Sequence, residues 1–260
     1  MEMKRLLDDT VKVIKDAGRM LLDSRATTIE QKGDVANLVT DMDCKVQAFL
    51  IECLQKIMPD SHFLVEEEDV HVVRDGYLWI IDPIDGTSNY AYDYRHSAIS
   101  IALLYDQKVI MGVVYNPYLD ELFYSVKGEG SFLNEEKISV KDHDMTSSLI
   151  LCGTSPYHKE MADKSFTILK ELFIQGRDLR RSGSAVLDLC YVACGRVDAF
   201  FEYRLSPWDF AAASLIIQEA GGIVECPNDR FGFDKAITII AGNQHNVPVL
   251  RSIVQKYEGK

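Results

Sequence analysis

The chain has 260 residues, 47% of them hydrophobic, which is enough for one large or two small domains with a sizeable core. Its formal net charge of −12 argues against nucleic acid and anionic membrane surfaces as partners, because both are bound through an excess of Lys and Arg. No apolar run approaches the length of a membrane span and the start of the chain reads as a charged amphipathic helix, so the sequence predicts a cytoplasmic protein.

The first part of the sequence predicts two helices followed by short strands. Apolar residues at helical spacing between Leu6 and Leu22 predict a long first helix, and Thr40 is placed to cap a second helix that ends near Ile57. Strands are then predicted at residues 61–65, 77–81, 98–104, 109–115 and 121–126. The brief turns between these strands indicate an antiparallel meander.

From residue 149 onward the pattern changes to alternating strands and helices. The predicted strands are residues 149–153, 197–202, 222–225 and 237–242, and the predicted helices are 156–173, 184–195, 207–220 and a last one from 243. We therefore predict an N-terminal half (1–148) with an antiparallel sheet and a C-terminal alternating half (149–260). Together they would form one continuous domain over residues 1–260, with the site between them.

The most informative segment is Trp79 to Asn89, where an apolar strand is followed by Asp82 and Asp85. Pro83 has no backbone N–H and Gly86 permits a tight turn, so we expect the chain to reverse there. Two carboxylates about 4 Å apart repel by about 4 kcal/mol at an effective dielectric near 20, and a divalent cation removes that repulsion. Oxygen ligands alone select a hard ion such as magnesium. Taken alone, the segment is more often just an Asp-rich turn.

The segment Asp-Pro-Ile-Asp-Gly-Thr-Ser-Asn (82–89) resembles the signature of the inositol monophosphatase family of the lithium-sensitive, magnesium-dependent phosphatase superfamily. Three further segments match in the family's order: Leu-Val-Thr-Asp-Met-Asp (38–43), Leu-Val-Glu-Glu-Glu (64–68) and Trp-Asp-Phe-Ala-Ala (208–212). Ala213 stands where the family usually has Gly. The resemblance implies an α+β fold, a layered α/β/α/β/α sandwich of the inositol monophosphatase and fructose-1,6-bisphosphatase type.

The resemblance also implies a Mg²⁺ site with two ions and a third, looser ion that could share Glu66. The implied ligands of the first ion are Glu66, Asp82 and the Ile84 carbonyl, and those of the second are Asp82, Asp85 and Asp209. A carboxylate in the first turn of a helix is also a common dipole partner, which is the alternative for Asp209.

The glutamate ligand is the least certain of these positions. Glu66 is closest to the end of the predicted strand, where ligands collect in open sheets. A shift of one residue in the match would give the role to Glu67 instead, and Glu68 would share a side with Glu66 in an extended segment.

For catalysis, Asp43 and Thr87 are similar to the family's pair that orients and deprotonates the attacking water, with Glu66 as a further catalytic residue. Lys32 matches a Lys that the family places near the Thr, although it could equally be an exposed loop charge. The substrate contacts implied by the resemblance, including a backbone phosphate cradle at 86–88, are Asp85, Gly86, Thr87, Ser88, Gly183, Ser184, Ala185, Glu202 and Asp209.

These inferences predict a magnesium-dependent phosphomonoesterase that hydrolyses inositol monophosphate or a related small sugar phosphate with metal-activated water. Fructose-1,6-bisphosphate, NADP, histidinol phosphate and 3′-phosphoadenosine 5′-phosphate remain alternative substrates. No Ser-His-Asp or Cys-nucleophile pattern is visible, which argues against a covalent intermediate. The resemblance further implies a homodimer and inhibition by calcium and lithium. The rival from another class is a regulatory member of the fold that binds a protein partner.

Overall fold

The computed structural model of the chain describes residues 3–24, 28–31, 38–67 and 75–258. Lys32 and Glu68, for which the sequence made predictions, lie outside these ranges. Within them, no helix is both long and apolar enough to cross a membrane.

The helices begin where local capping chemistry is strongest. The Thr40 hydroxyl accepts a hydrogen bond from the Met42 N–H, and the Thr40 N–H donates to the Asp43 carboxylate. This capping box starts the second helix where the sequence predicted it. The helices are α1 (Met3–Asp23), α2 (Asp41–Ile57), α3 (Thr87–Ala91), α4 (Ala162–Gln175), α5 (Ala185–Ala193), α6 (Pro207–Glu219) and α7 (Asn246–Tyr257).

The strands form one seven-stranded sheet, one five-stranded sheet and one small pair. The large sheet has the order β3-β4-β5-β6-β7-β8-β9, the smaller one β11-β10-β12-β14-β13, and β1 pairs with β2. The strands are β1 (Ile29–Gln31), β2 (Leu38–Thr40), β3 (His62–Val65), β4 (Tyr77–Asp85), β5 (Ala98–Tyr105), β6 (Lys108–Asn116), β7 (Glu121–Val126), β8 (Gly130–Leu133), β9 (Glu136–Ile138), β10 (Leu149–Cys152), β11 (Asp178–Arg180), β12 (Ala199–Leu205), β13 (Ile223–Glu225) and β14 (Ile237–Gly242).

The fold has five layers of helices and sheets, which three hydrophobic cores hold together. Helices α1 and α2 cover one face of the large sheet, α5 and α6 lie between the two sheets, and α4 and α7 cover the outer face of the smaller sheet. Successive side chains of a strand point to opposite faces. Trp79 of β4 therefore packs in the core under α1 and α2, and Ile80 packs in the central core, which contains α5 and α6. This layering confirms the predicted α/β/α/β/α sandwich. The central core draws residues from both halves of the chain.

Strand β4 departs from the sequence prediction at the most informative segment. It does not reverse after Ile81 but continues to Asp85, with its register against β5 shifting between Asp82 and Asp85. A bulge accommodates Pro83 within a strand without a normal ladder bond, so the chain needs no turn there. The sheet is also mixed, since β3 runs parallel to β4 whereas the other neighbouring pairs are antiparallel.

Several element boundaries also differ from prediction for local reasons. Helix α4 begins at Ala162, because Ser155 has a left-handed φ of 44° and a short 3-10 turn (Lys159–Met161) precedes the helix. Helix α7 begins at Asn246, because the Asn243 side chain accepts the first free N–H groups of that turn. Strand β12 is displaced to Ala199–Leu205.

The central layer packs against the large sheet through a backbone contact. A Cβ placed on Gly112 of β6 would lie 2.5 Å from the Ala212 carbonyl oxygen of α6, so this glycine allows the helix to approach the strand. We predict that Gly112→Ala lowers the free energy of unfolding by about 3 kcal/mol, because neither backbone can move without repacking. Chemical denaturation measures this.

The matched control is Gly128→Ala. Gly128 has a positive φ of 85° but nothing within 4 Å of a built Cβ. The Gly128→Ala substitution should therefore lower the free energy of unfolding only by the backbone strain that it introduces, about 1–2 kcal/mol. Equal losses in the two variants would contradict the close approach of α6 to β6.

Candidate functional site

A cavity of about 450 Å³ opens at the carboxyl end of β4, beside the first turns of α5 and α6. Strand β4 supplies Asp82 and Asp85, and the first turn of α6 supplies Asp209. Each of the three carboxylates contributes an oxygen atom that lies within 4.8 Å of the others. We call these three residues the acidic cluster.

The acidic cluster consists of like charges held out of water. Asp82 and Asp85 are 1% and 7% exposed, and Asp209 is half-buried. Burial, followed by the neighbouring carboxylates, raises the pKa of Asp82 and of Asp209 well above their usual range, and burial raises that of Asp85 to about 6. In the described part of the chain, no Lys or Arg forms an ion pair with any of the three.

Neutral donors nevertheless fix the three side chains. The Ile84 N–H donates to Asp82 at 2.9 Å, and the Ser206 N–H donates to Asp209 at 2.7 Å. The Val186 N–H at 3.0 Å and the Ser184 hydroxyl donate to Asp85, which therefore lies against the N-terminal end of α5. Hydrogen bonds stabilise the ionised form and hold its orientation, but they do not neutralise its charge.

The two described glutamates after β3 are half-buried, line the cavity and act on different neighbours. After burial, the Glu66 charge is the strongest influence raising the pKa of Asp82, and it also raises that of Asp209. The Glu67 charge instead raises the pKa of Asp43. The Glu66 charge therefore acts on the acidic cluster, and the Glu67 charge acts on Asp43 in the first turn of α2.

Asp43 and Thr87 are brought together from elements 44 positions apart in the sequence. The Thr87 Oγ1 lies 3.1 Å from Asp43 Oδ1 and 3.0 Å from the Ile84 carbonyl oxygen, so its single proton can be donated to either acceptor. The other Asp43 oxygen accepts the Thr40 N–H and hydroxyl. Burial raises the pKa of Asp43 to about 6. Asp43 does not itself line the cavity and reaches it through Thr87.

Gly86 forms the turn between the acidic cluster and α3. Its φ of 87° is left-handed, and a Cβ there would lie 3.1 Å from the carbonyl oxygens of Gly183 and His96, so only glycine fits without strain. The Asn89 amide donates to the carbonyls of His96 and Ser182, which ties this turn to the segment before α5. Gly86, Thr87 and Ser88 all line the cavity.

Strand β12 contributes Glu202 to the cavity lining; this residue is 8% exposed, and burial raises its pKa to about 7. The Ser155 N–H donates to its carboxylate at 3.2 Å, and a Cβ on Gly153 would overlap that carboxylate. Gly183, Ser184 and Ala185 also line the cavity, but the Ser184 hydroxyl is already bonded to Asp85. The predicted substrate contacts of these residues remain predictions.

Some cavity residues were missed from the sequence. They are Gly153, Ser155, Tyr157, Arg181 and Asp188. Asp188 is 2% exposed and accepts the Ser182 hydroxyl at 2.5 Å. The sequence could have indicated Asp188, because it is an isolated carboxylate in the otherwise apolar helix α5, four positions after Ser184. The other four show no such signal.

The donor set fits a hard divalent cation. Every candidate ligand atom is an oxygen, and the carboxylates come from three separate elements that converge on one point. Their raised pKa values show that the ionised cluster is unfavourable without a positive charge.

Comparison with known proteins gives matches over nearly the whole chain. The sequence profile of the inositol monophosphatase family matches residues 2–258. An inositol monophosphatase from Dictyostelium discoideum is 36% identical over 265 residues, 97% of this chain and 96% of that protein. The Nus factor SuhB of Salmonella typhimurium (strain LT2) is 35% identical over 254 residues, 95% of each chain.

Solved structures give the same result. The IMPase of Thermotoga maritima superposes with a TM-score of 0.88 at 30% identity, covering 97% of this chain and 98% of that one. The extragenic suppressor protein SuhB from Bartonella henselae has a TM-score of 0.88 at 32% identity, covering 98% of this chain and 100% of that one.

We predict that Asp209→Asn stabilises the metal-free protein at pH 8 but weakens its stabilisation by Mg²⁺. The amide oxygen can still accept the Ser206 N–H, while one of the repelling charges is removed. Thermal unfolding with and without Mg²⁺ measures both effects. The expected gain without metal is at least about 3 °C, which corresponds to about 1 kcal/mol.

The gain should depend on pH. A carboxyl whose folded pKa is raised contributes stability below its unfolded pKa of about 4, and that contribution is lost as pH rises through the folded pKa. The variant should therefore match wild type near pH 4 and exceed it at pH 8. Asp60→Asn, at an exposed position, is the control. A metal-free Asp209→Asn protein less stable than wild type at pH 8 would contradict the repulsion.

Proposed function

The chain belongs to the inositol monophosphatase family and is a phosphatase, and from this premise we propose that it is a magnesium-dependent phosphomonoesterase of small phosphorylated polyols. The observation that carries the proposal is the acidic cluster within reach of the Asp43–Thr87 pair. The proposed substrate is inositol monophosphate or a similar sugar phosphate.

In this proposal Glu66, Asp82 and the Ile84 carbonyl hold one Mg²⁺, and Asp82, Asp85 and Asp209 hold a second. When bound, the two ions supply Lewis acidity and the positive charge that phosphoryl transfer requires. The position of Glu66 on the cavity wall, where its charge acts on Asp82, supports its assignment as the glutamate ligand.

Asp43 and Thr87 handle the proton of the attacking water. Thr87 Oγ1 accepts a hydrogen bond from that water while donating its own proton to Asp43 Oδ1, so a proton can pass from the water through Thr87 to the carboxylate. The hydrogen bonds from Thr40 keep Asp43 facing Thr87. A carboxylate with a pKa of about 6 is ionised at neutral pH and is a stronger base than an ordinary Asp.

The remaining cavity residues bind and orient the substrate. The backbone around Gly86 and Ser88 cradles the phosphate, because N–H groups at such a turn form an anion-binding nest. The Glu202 carboxylate in the cavity lining accepts hydrogen bonds from hydroxyl groups of the polyol. The volume of about 450 Å³ accommodates a molecule of this size.

A regulatory role through protein binding is the second candidate function, because several relatives carry the name Nus factor SuhB. The acidic cluster favours the enzyme, since a protein-binding surface does not need like charges buried in a cavity. The proposal further includes a cytoplasmic location and a homodimer. It also excludes nucleic acid as a partner, which the net charge of −12 supports.

The proposal is tested by phosphate release from a panel of sugar, inositol and nucleotide phosphates. We expect turnover with Mg²⁺, no turnover in excess chelator, and inhibition by calcium and by millimolar lithium. Full activity in chelator would refute the metal mechanism. If every substrate on the panel is inert while Mg²⁺ still stabilises the fold, the protein-binding alternative gains.

Thr87→Ala should lower kcat far more than it raises KM, because a hydroxyl that orients the water acts mainly in the transition state. Thr87→Ser keeps the hydroxyl and should retain most of the turnover. Steady-state kinetics on the best substrate separate the two parameters. If Thr87→Ala raises only KM, Thr87 is a phosphate contact and the proposed proton path is wrong.

The glutamate assignment is tested by comparing Glu66→Gln with Glu67→Gln. Glu66→Gln should lose nearly all activity, because a neutral amide is a poor ligand for a hard cation. Glu67→Gln should lose only part of the activity, because the Glu67 charge acts on the pKa of Asp43 and the residue is not a proposed metal ligand. Turnover as a function of Mg²⁺ concentration distinguishes them. An inactive Glu67→Gln beside an active Glu66→Gln would show that the assignment is one residue out of register.

A further inference from the structure

Tyr157 reaches the cavity on a tight turn between β10 and α4. The His158 N–H donates to the Ser155 carbonyl at 2.9 Å and closes a four-residue turn, with Pro156 in the second position, where proline is favoured. Tyr157 occupies the third position and lines the cavity together with its two neighbours. The turn therefore brings a phenol hydroxyl to a site whose proposed catalytic groups are carboxylates and a threonine.

The first residue of this turn is fixed to β12. Ser155 has a left-handed φ of 44°, which costs a residue other than glycine about 1–3 kcal/mol and persists only where the surroundings hold it. Its hydroxyl donates to the Tyr203 carbonyl at 2.7 Å, and its N–H donates to the Glu202 carboxylate at 3.2 Å. The turn is therefore attached to the residue that the proposed function assigns to the polyol.

The Tyr157 hydroxyl is also within electrostatic reach of the proposed metal ligands. Burial, and after it the charges of Glu66 and of the acidic cluster, raise the pKa of Tyr157 above its usual range. The hydroxyl is therefore protonated at neutral pH and is able to donate. The residue as a whole is 46% exposed, so solvent has access to the ring and can restore a proton.

The departing group of a polyol phosphate needs such a donor. An alkoxide is a poor leaving group, so the ester oxygen has to gain a proton as it separates from phosphorus. Three other hydroxyls of the cavity lining, those of Thr87, Ser155 and Ser184, already donate to acceptors within the protein. The ester oxygen joins phosphate to polyol, and the turn of Tyr157 links Glu202, assigned to the polyol, with the acidic cluster, assigned to the phosphate.

We propose that Tyr157 is a further catalytic residue, whose hydroxyl protonates the oxygen of the departing alcohol. This inference rests on the proposed function and adds an acid to its base. As water attacks phosphorus, the bond from phosphorus to the ester oxygen breaks and leaves its electron pair on that oxygen. The oxygen takes the Tyr157 proton and departs as an alcohol, while a proton of the water passes through Thr87 to Asp43. Asp43 then releases its proton to solvent and the Tyr157 phenolate takes one from solvent, so water and the ester give alcohol and phosphate.

The test compares two substrates whose leaving groups differ in their need for a proton. One is inositol 1-phosphate, or the sugar phosphate that the panel shows to be hydrolysed best, and the other is p-nitrophenyl phosphate, whose leaving group is a stable anion. Tyr157→Phe removes only the hydroxyl and keeps the ring. At saturating Mg²⁺ it should lower kcat about 100-fold for the polyol phosphate and less than about threefold for p-nitrophenyl phosphate.

The matched control is Tyr105→Phe. Tyr105, at the end of β5, is likewise 46% exposed and lies outside the cavity lining, so this variant should match wild type on both substrates. Thermal unfolding adds a readout that does not depend on turnover. Mg²⁺ should raise the Tm of Tyr157→Phe as much as that of wild type, because the hydroxyl is not a metal ligand in this proposal. Loss of that stabilisation would make Tyr157 part of the metal site and overturn the inference.

Two kinetic results for Tyr157→Phe would also overturn it. An equal loss on both substrates would place the hydroxyl on the phosphate, and turnover equal to that of wild type on both would remove it from the reaction. In either case hydrolysis by the wild-type protein leaves the phosphatase function intact. A wild-type protein that is inert toward both substrates and toward the whole panel would instead refute the proposed function, and this inference with it.

Discussion

The repulsion among Asp82, Asp85 and Asp209 is the constraint on which the rest of the site depends. Three carboxylates within 4.8 Å of one another, two of them nearly inaccessible to water, are unfavourable unless a positive charge is supplied. The fold imposes this arrangement by bringing the carboxyl end of β4 and the first turn of α6 together. Part of the free energy of folding is therefore spent on repulsion that a bound divalent cation would relieve.

The central helical layer is what brings the charges together. Helix α5 directs the N–H of Val186 at Asp85, and α6 places Asp209 in its first turn behind Pro207. Both helix N-terminal ends carry partial positive charge, which stabilises the carboxylates without neutralising them. Because α5 and α6 are packed between the two sheets, the site forms only when both halves of the chain are assembled.

Much of the site could be predicted from sequence because its signals are local. The capping box at Thr40 and Asp43, the Asp-Pro-Ile-Asp-Gly segment and the proline at the start of α6 each specify a local structure from neighbouring residues. The five-layer fold followed from the order of helices and strands together with the resemblance. The continuation of β4 through Asp85 could not be read in this way, because pairing with β5 overrides the turn signal of Pro83 and the chain turns only at Gly86.

Other features depend on long-range contacts. The closeness of Arg181 to the carboxylates of Asp85, Asp188 and Glu202 follows from the tertiary fold and has no local signal in the sequence. The different surroundings of Glu66 and Glu67 are likewise set by α2 and β4 rather than by the glutamates' own sequence. Gly112 and Gly153 look alike in sequence, yet one admits a helix backbone and the other a carboxylate.

The most direct test of the central claim is anomalous diffraction at the manganese edge from crystals grown with Mn²⁺, which substitutes for Mg²⁺ at oxygen sites. We predict two anomalous peaks about 3.5–4 Å apart. Asp82 should contact both ions, Asp85 and Asp209 should contact one of them, and Glu66 should contact the other. Absence of any peak at the acidic cluster, with Mn²⁺ found only at surface carboxylates, would contradict the account.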